Sequence, residues 1–197
     1  MTGPGDPFVH LVHLHRKLAA HWERVSTQGE VRCGPGCVSC CFTDLTVCRV
    51  EADFILRGVS EHGLELRSLL DATPGDRRGL SNGLVSQVSA GGPPEKITFV
   101  LGPPAPGTRP CPFLSSPGTC AIYELRPIIC RTHGVPILAD GRRDVCPANK
   151  PGTALVAPLN LEWLNTTLFA IDQVYCREQG RPPARVSLTG IAQAVAR

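Results

Sequence analysis

The feature that most constrains this chain is the grouping of eight of its ten cysteines into two blocks. The first block reads CGPGCVSCC, and the second begins in CPFLSSPGTCAIYELRPIICRTHG and ends in DVCPANK. Four thiols within nine residues do not arise from ordinary apolar packing, so they indicate metal binding, disulfide bonds or redox chemistry. The members of the two blocks are Cys33, Cys37, Cys40, Cys41, Cys111, Cys120, Cys130 and Cys146.

Composition favours a single domain over residues 1–197 with a thin core. Hydrophobic residues make up 42% of the chain and aromatics 5%, while 20 glycines and 19 prolines predict much irregular backbone. Small cores rich in cysteine often depend on a metal ion for folding. The net charge of +3 is weak and no run of five like charges occurs, so charge gives no reason to expect nucleic acid or an anionic membrane as a partner.

The N-terminal segment predicts a cytoplasmic protein. It has no uninterrupted apolar stretch followed by a cleavage site, and nothing in the chain approaches the ~20 apolar residues that span a bilayer. Thiols in that compartment stay reduced, which disfavours a structural disulfide framework.

Apolar spacing and turn residues predict an α+β fold that is mainly helical, a small irregular metal-stabilised domain with a short β-hairpin. Its cysteine-cluster core covers about residues 30–150, with an N-terminal helix at 7–28 and C-terminal helices at 160–178 and 187–196. Further helices are expected at 49–58 and 61–72, broken by Gly58 and Gly63. Residues 73–94 are expected to form a loop or a short helix around Leu80–Val88, and Lys96–Leu101 a strand. The hairpin turn lies between Cys111 and Cys120, and Pro127 starts a short helix through Cys130.

The cysteine spacing fits thiolate coordination of zinc or iron, commonly by four sulfur atoms. Gly34 and Gly36 allow the tight backbone that such a loop needs. In extended backbone, adjacent side chains point to opposite sides, so Cys40 and Cys41 are not expected to serve one centre. This predicts either two metal centres or one centre with spare thiols. Zinc is favoured, with iron or an iron–sulfur cluster as the alternative, since the ferredoxin cysteine run is absent.

Other residues near the blocks have predicted supporting roles. Arg126 and Arg131 flank Cys130 and are expected to offset the negative charge of a thiolate centre. His133 is left open as a ligand, a hydrogen-bond donor to a ligand or a turn residue. The histidines of the first helix and the carboxylates near the blocks are expected to be solvated, and the two remaining cysteines to be buried as small apolar residues. These residues are His10, His13, His15, His21, Asp44, Glu51, Asp144, Cys48 and Cys176.

The ordered motifs resemble the CxxCxxCC cysteine-cluster family, also called YkgJ-type, over about residues 30–150. The second block is especially similar, with Cys-Pro-Phe-Leu, Gly-x-Cys-x-Ile-Tyr and Arg-Pro-x-x-Cys-Arg in that order. Three residues separate Cys33 from Cys37, whereas the family's name implies two. The resemblance implies a zinc- or iron-chelating domain whose ligands are the cysteines of both blocks. A similar cluster occurs in flagellin lysine methylases.

Three functions follow from these observations. The first is a metal-binding protein with a structural or metal-handling role, whose partner is the metal ion and whose protein partners stay unknown. The second is a protein-modifying enzyme related to the cluster-containing lysine methylases. The third is an iron–sulfur redox or sensor protein. The first is favoured because the sequence contains no independent catalytic or cofactor motif, and no catalytic residue is assigned.

Overall fold

A computed structural model describes residues 5–28, 31, 33, 36–38, 40–42, 45–61, 85–87, 110–115, 118–139, 142–144, 146, 149 and 157–196. Within this part of the chain the protein is α+β and mainly helical, as predicted. No helix among these residues is long and apolar enough to cross a membrane. The helix predicted at 61–72 and the strand predicted at Lys96–Leu101 fall largely or wholly outside the described residues. Of residues 73–94 the structure describes Val85–Gln87, which form a strand, so the predicted loop or short helix is wrong there, because pairing with a distant strand decides the conformation.

The first helix, α1, spans Val9–Gln28. The Asp6 carboxylate accepts a hydrogen bond from the Phe8 amide at 2.8 Å, which satisfies one of the free N–H groups at the start of the helix. The apolar stripe predicted from the sequence is buried, with Leu11, Leu14, Leu18 and Val25 in the core and Trp22 packed against it. Helix α1 therefore covers one side of the core.

The second helix, α2, follows strand β1 (Thr46–Cys48) directly and spans Arg49–Glu61. The prediction that Gly58 breaks this helix is wrong, because the helix continues three residues beyond it. Gly58 is buried, and a Cβ atom built there would lie 2.7 Å from Cδ1 of Leu125. The glycine is needed for close packing of the segment between the second-block cysteines, not for helix termination.

The second cysteine block lies on a series of short elements. Strands β3 (Leu114–Ser115) and β4 (Thr119–Cys120) pair antiparallel and form the predicted hairpin, with Leu114 opposite Cys120. A 3-10 helix, Tyr123–Leu125, leads into helix α3, Ile128–Thr132, which begins directly after Pro127. Phe113 and Ile128, both fully buried, attach this region to the common core.

Two C-terminal helices complete the core. Helix α4 spans Leu161–Glu178, and Asn160 caps it by accepting the Trp163 amide at 2.9 Å. Helix α5 spans Leu188–Val195, and the Ser187 hydroxyl accepts the Gly190 amide. Both helices start within a residue of their predicted positions.

Two three-stranded sheets join distant parts of the chain. In the first sheet, β8 (Ala184–Ser187) lies between β1 and β2 (Val85–Gln87), antiparallel to both. In the second, β5 (Ile137–Ala139) pairs antiparallel with β6 (Arg142–Asp144) and parallel with β7 (Leu159–Asn160). Because β1 and β8 are antiparallel, α2 begins at the Cys48 end of this strand pair and α5 begins at the Thr46 end, where the Leu188 amide donates to the Leu45 carbonyl.

Candidate metal centre

The two cysteine blocks line one cavity of about 300 Å³. Seven thiols share this cavity although the blocks are separated by some seventy residues of sequence. Its other walls are mostly apolar and include Leu45, Phe113, Ile122 and Leu188. The seven cysteines that line it are Cys33, Cys37, Cys40, Cys41, Cys111, Cys120 and Cys130.

Cys40 and Cys41 both line this cavity, and the backbone that carries them is not extended. The chain forms a turn here, in which the Cys41 amide donates to the Val38 carbonyl at 2.9 Å. In a turn, neighbouring side chains no longer alternate between opposite sides. The two thiols contact each other through a side-chain hydrogen bond, which raises the pKa of Cys40 well above its ordinary value. The adjacent cysteines therefore act as a pair.

Backbone hydrogen bonds hold the two blocks together. The Cys111 amide donates to the Cys41 carbonyl at 2.6 Å, so each block contributes one residue to the junction. The hairpin that follows is fixed by the Ser115 hydroxyl, which donates to the Thr119 carbonyl at 2.9 Å, and by the Ala121 amide, which donates to Phe113. Cys111 and Cys120 are thus positioned by main-chain contacts.

Glu51 anchors the helix that carries Cys130. This carboxylate is buried, and its two oxygens accept the Cys48 amide at 3.1 Å and the Ile128 amide at 2.8 Å. It joins the N-terminus of α2 to the N-terminus of α3. The expectation that Glu51 is solvated is wrong. Burial raises its pKa despite the hydrogen bonds from the two amides.

Burial raises the pKa of several thiols of the cavity. Burial, followed by the charges of Cys37 and Cys40, raises the pKa of Cys33 to about 12. Burial also raises the pKa of Cys130, and the charges of Cys40, Cys111 and Cys120 raise it further. Arg126 acts in the opposite direction on both thiols because its guanidinium group favours the thiolate.

Arg126 supplies positive charge to the cavity wall, as predicted. Its guanidinium group stacks 3.4 Å from the centre of the Tyr123 ring, and its Nε donates to the Tyr123 carbonyl. Arg131 interacts electrostatically with Cys130 and also has a backbone role. It donates to the carbonyls of Arg126 and Glu124, and so fixes the backbone between the 3-10 helix and α3.

Two residues that the sequence did not single out position the ends of the blocks. Gly134 passes so close to Cys33 that a Cβ atom there would lie 2.7 Å from the Cys33 sulfur. Asn149 donates its side-chain amide to the Gly134 carbonyl at 2.8 Å, and its backbone amide to the Cys146 carbonyl at 2.9 Å. Cys146 is thereby held near Cys33, on whose thiol its charge acts.

The remaining candidates lie apart from the cavity lining. Cys48 and Cys176 are buried in the core, as predicted. His10 and His13 are exposed, but His15 is only 8% exposed, with its ring packed edge-on against Phe54, so its predicted solvation is wrong. His133 is half-buried just after α3. Asp44 and the side chain of Asp144 fall outside the described residues.

Cysteine thiols are suitable ligands for a thiophilic metal ion. In this structure, however, the thiols lie around a cavity and do not converge on one point. All ten cysteines lie in the described part of the chain and are present as thiols, with no disulfide bond among them. Among the described residues, no three cysteine, histidine or carboxylate side chains are arranged to hold a metal ion as they stand. Coordination would therefore need side-chain rotation toward the centre of the cavity.

Comparisons of this chain with protein-family models, with curated proteins and with solved structures found no match.

Proposed function

We propose that this chain is a metal-binding protein that coordinates zinc through its two cysteine blocks, in a structural or metal-handling role. The observation that carries the proposal is the meeting of both blocks at one cavity, where seven thiols face a common space. Sulfur donors with few competing oxygen or nitrogen donors favour soft and borderline ions such as Zn²⁺ over Mg²⁺ or Ca²⁺. Motif order adds support through the resemblance to a zinc- or iron-chelating family.

The surroundings of the thiols favour a bound cation. Several buried sulfurs raise one another's pKa, and a cation is the partner that makes closely spaced thiolates stable. Arg126 offsets part of the negative charge that a multi-thiolate site would carry. The thiols reach an ion by rotation about χ1, since both blocks are already held by backbone hydrogen bonds.

A metal would also explain how a thin core is held together. The first block has irregular backbone, and the described contacts that join it to the second block are few: the hydrogen bond from the Cys111 amide to the Cys41 carbonyl and the packing of Gly134 against Cys33 are two of them. Metal ligation across the blocks would add to the free energy of unfolding. We expect this role in the cytoplasm, where thiols remain reduced, with the metal ion as partner.

The proposal is tested by elemental analysis and visible absorption of protein purified without oxygen. We expect tightly bound zinc, and we expect Cys40→Ser and Cys130→Ser to lose at least half of the bound metal and to unfold at lower urea concentration. Cys176→Ala is the matched control, because this cysteine is buried outside the cavity. Its metal content should equal that of the unchanged protein.

Other outcomes separate the alternatives. A brown protein that contains inorganic sulfide would replace zinc by an iron–sulfur cluster. A fully folded protein that neither carries metal nor takes up Zn²⁺ or Fe²⁺ when reduced would contradict metal binding altogether.

A further inference from the structure

We propose that Cys40 and Cys41 are a site of reversible oxidation, at which a hydroperoxide converts the two neighbouring thiols to a disulfide. The inference goes beyond metal binding, and it rests on the proposed function only where it concerns release of the metal. It selects two of the seven thiols that line the cavity and assigns them a covalent modification.

The backbone of the first block places these two thiols together. Residues 40–42 form a turn, in which the Cys41 amide donates to the Val38 carbonyl at 2.9 Å. Both side chains line the same cavity, and the two thiols are hydrogen-bonded to each other. A disulfide requires two sulfur atoms on the same side of the chain, which extended backbone does not provide and this turn does.

A disulfide between adjacent residues is strained and therefore easily reduced. Their Cα atoms lie about 3.8 Å apart across a trans peptide, whereas Cα atoms joined by an ordinary disulfide lie roughly 4.4–6.8 Å apart. Strained disulfides have higher reduction potentials and are typical of labile, regulatory bonds. We therefore expect a bond that a strong oxidant forms and that glutathione reduces again.

The pair is accessible to a small oxidant, unlike the cysteines of the core. Cys40 and Cys41 are half-buried and line a cavity of about 300 Å³, which is large enough for hydrogen peroxide to enter. Cys48 and Cys176 are only 7% and 1% exposed, respectively. Oxidation of thiols follows their exposure, so the core cysteines are expected to stay reduced under the same treatment.

The reaction takes two balanced steps. A thiolate of the pair attacks the peroxide, so that a sulfur–oxygen bond forms, the oxygen–oxygen bond breaks and water leaves after protonation. The neighbouring thiol then attacks the sulfur of this sulfenic acid, a sulfur–sulfur bond forms and the hydroxyl group leaves as a second water. The two thiols lose two electrons and two protons, and the peroxide is reduced to two molecules of water.

Oxidation of the pair should also loosen the junction between the cysteine blocks. The disulfide closes a ring that includes the peptide between Cys40 and Cys41, so the dihedral angles of the turn must change. The carbonyl of Cys41 accepts the Cys111 amide at 2.6 Å, one of the described contacts that join the blocks. Oxidation also removes two thiolate donors from the proposed metal centre, because a disulfide is not a thiolate ligand. Bound zinc should therefore leave.

Disulfide mapping tests the site in the full chain, both metal-free and loaded with Zn²⁺. Reduced protein is treated with hydrogen peroxide, denatured in N-ethylmaleimide and digested with trypsin. We expect the peptide that begins at Cys33 to lose two hydrogen atoms, with Cys40 and Cys41 unalkylated and its other cysteines alkylated. A pair that stays fully alkylated, or a disulfide from either residue to a cysteine elsewhere, would overturn the proposal.

Variants of the pair separate it from the other thiols. In Cys40→Ser and in Cys41→Ser the remaining thiol has lost its neighbour, so at least one of these variants should accumulate a sulfenic acid that dimedone traps. Cys176→Ala is the matched control and should form the disulfide at the rate of the unchanged protein. Disulfide formation at that same rate in Cys40→Ser or Cys41→Ser would overturn the assignment to the pair.

Hydrogen exchange and zinc release test the consequences of oxidation. In the oxidised protein the Cys111 amide should exchange at least about tenfold faster, the change expected for loss of one backbone hydrogen bond. The Ala121 amide, which donates to Phe113 within the hairpin, is the internal reference and should keep its rate. Equal rates at Cys111 in both states would overturn the coupling to the junction.

Zinc-loaded protein should release at least half of its metal on oxidation and take it up again after reduction by glutathione. A disulfide that forms while all zinc stays bound would overturn the link between oxidation and metal release. Metal-free protein that forms the disulfide but takes up no Zn²⁺ or Fe²⁺ when reduced would support the oxidation site and contradict the proposed metal-binding function.

Discussion

Gly134 limits how the first cysteine block can sit against the rest of the protein. Its backbone passes Cys33 so closely that any side chain at this position would overlap the Cys33 side chain. This approach fixes the position of Cys33 directly. It also fixes the positions of Asn149 and Cys146, because the Asn149 side chain donates to the Gly134 carbonyl and its backbone amide donates to the Cys146 carbonyl. A single glycine therefore fixes one end of the candidate metal centre.

Replacing this glycine should disturb the centre locally. We expect Gly134→Ala to lower the free energy of unfolding of the metal-free protein by about 1–3 kcal/mol, the usual cost of overpacking. Urea denaturation measures this loss. Adding Cys33→Gly removes the Cβ and sulfur atoms that the new methyl group meets. The double variant should therefore lose less free energy of unfolding than the two single variants lose together. Strict additivity would contradict the proposed overlap.

At the residue scale the sequence identified which side chains gather at the site but not how they are oriented. Seven of the eight cysteines selected by type and spacing line the cavity, and Cys146 is not one of the lining residues. The extended backbone assumed for Cys40 and Cys41 is a turn in the structure, stabilised by a backbone hydrogen bond to Val38, so both residues line the cavity. Asn149 and Glu51 were not recognised as supports, since their partners are backbone groups distant in sequence.

The short helix α3 depends on a contact from outside the second block. Five residues are too few for an isolated helix to be stable, and this one carries Cys130. Glu51, on α2, accepts the amide of its first residue and the Cys48 amide at the start of α2. The two helices are thus joined at their N-termini by one carboxylate.

Removing this carboxylate should loosen α3. We expect Glu51→Ala to destabilise the protein by roughly 2–5 kcal/mol, because two buried N–H groups lose their acceptor. Hydrogen exchange at the Ile128 and Cys48 amides should accelerate more than at Val50, whose amide bonds to Asp172. Glu124→Ala, at an exposed side chain of the 3-10 helix, is the control and should leave stability nearly unchanged. Uniform acceleration at all three amides would contradict a specific anchor.

Elements with a clear local signal were predicted well, and those defined by distant pairing were not. Helices α1 and α4 follow their apolar stripes, and the hairpin follows its turn residues. Strands β1 and β8 have only three and four residues and pair across the length of the chain, with Thr46 opposite Ser187. Such short segments carry too few residues for a period of two to be recognised.

The molecule as a whole combines one apolar core with several buried ionisable groups. Glu51, Asp172 and His15 all lie within it, against the general preference for exposed charge. The carboxylates are hydrogen-bonded to backbone amides, whereas Nε2 of His15 is buried without a hydrogen-bond partner among the described residues. The fold thus tolerates a neutral histidine between α1, α2 and α3, where a charged one would be costly.

This burial predicts how stability depends on pH. Desolvation, together with the charge of Arg131, lowers the pKa of His15 from 6.5 to about 3. Between these values the unfolded chain binds a proton at His15 and the folded protein does not, so stability falls as the pH is lowered through this window. Glu51 and Asp172 have raised pKa values and act in the opposite direction, but they are common to the unchanged protein and to a His15 variant.

We therefore compare urea denaturation of the metal-free protein and of His15→Leu from pH 6 down to pH 4.5. The variant should lose less stability, with a difference in slope of up to about 1.4 kcal/mol per pH unit. His13→Leu, at an exposed position of the same helix, should keep the original slope. Equal slopes for His15→Leu and the unchanged protein would mean that His15 takes up its proton in the folded state as readily as in the unfolded chain.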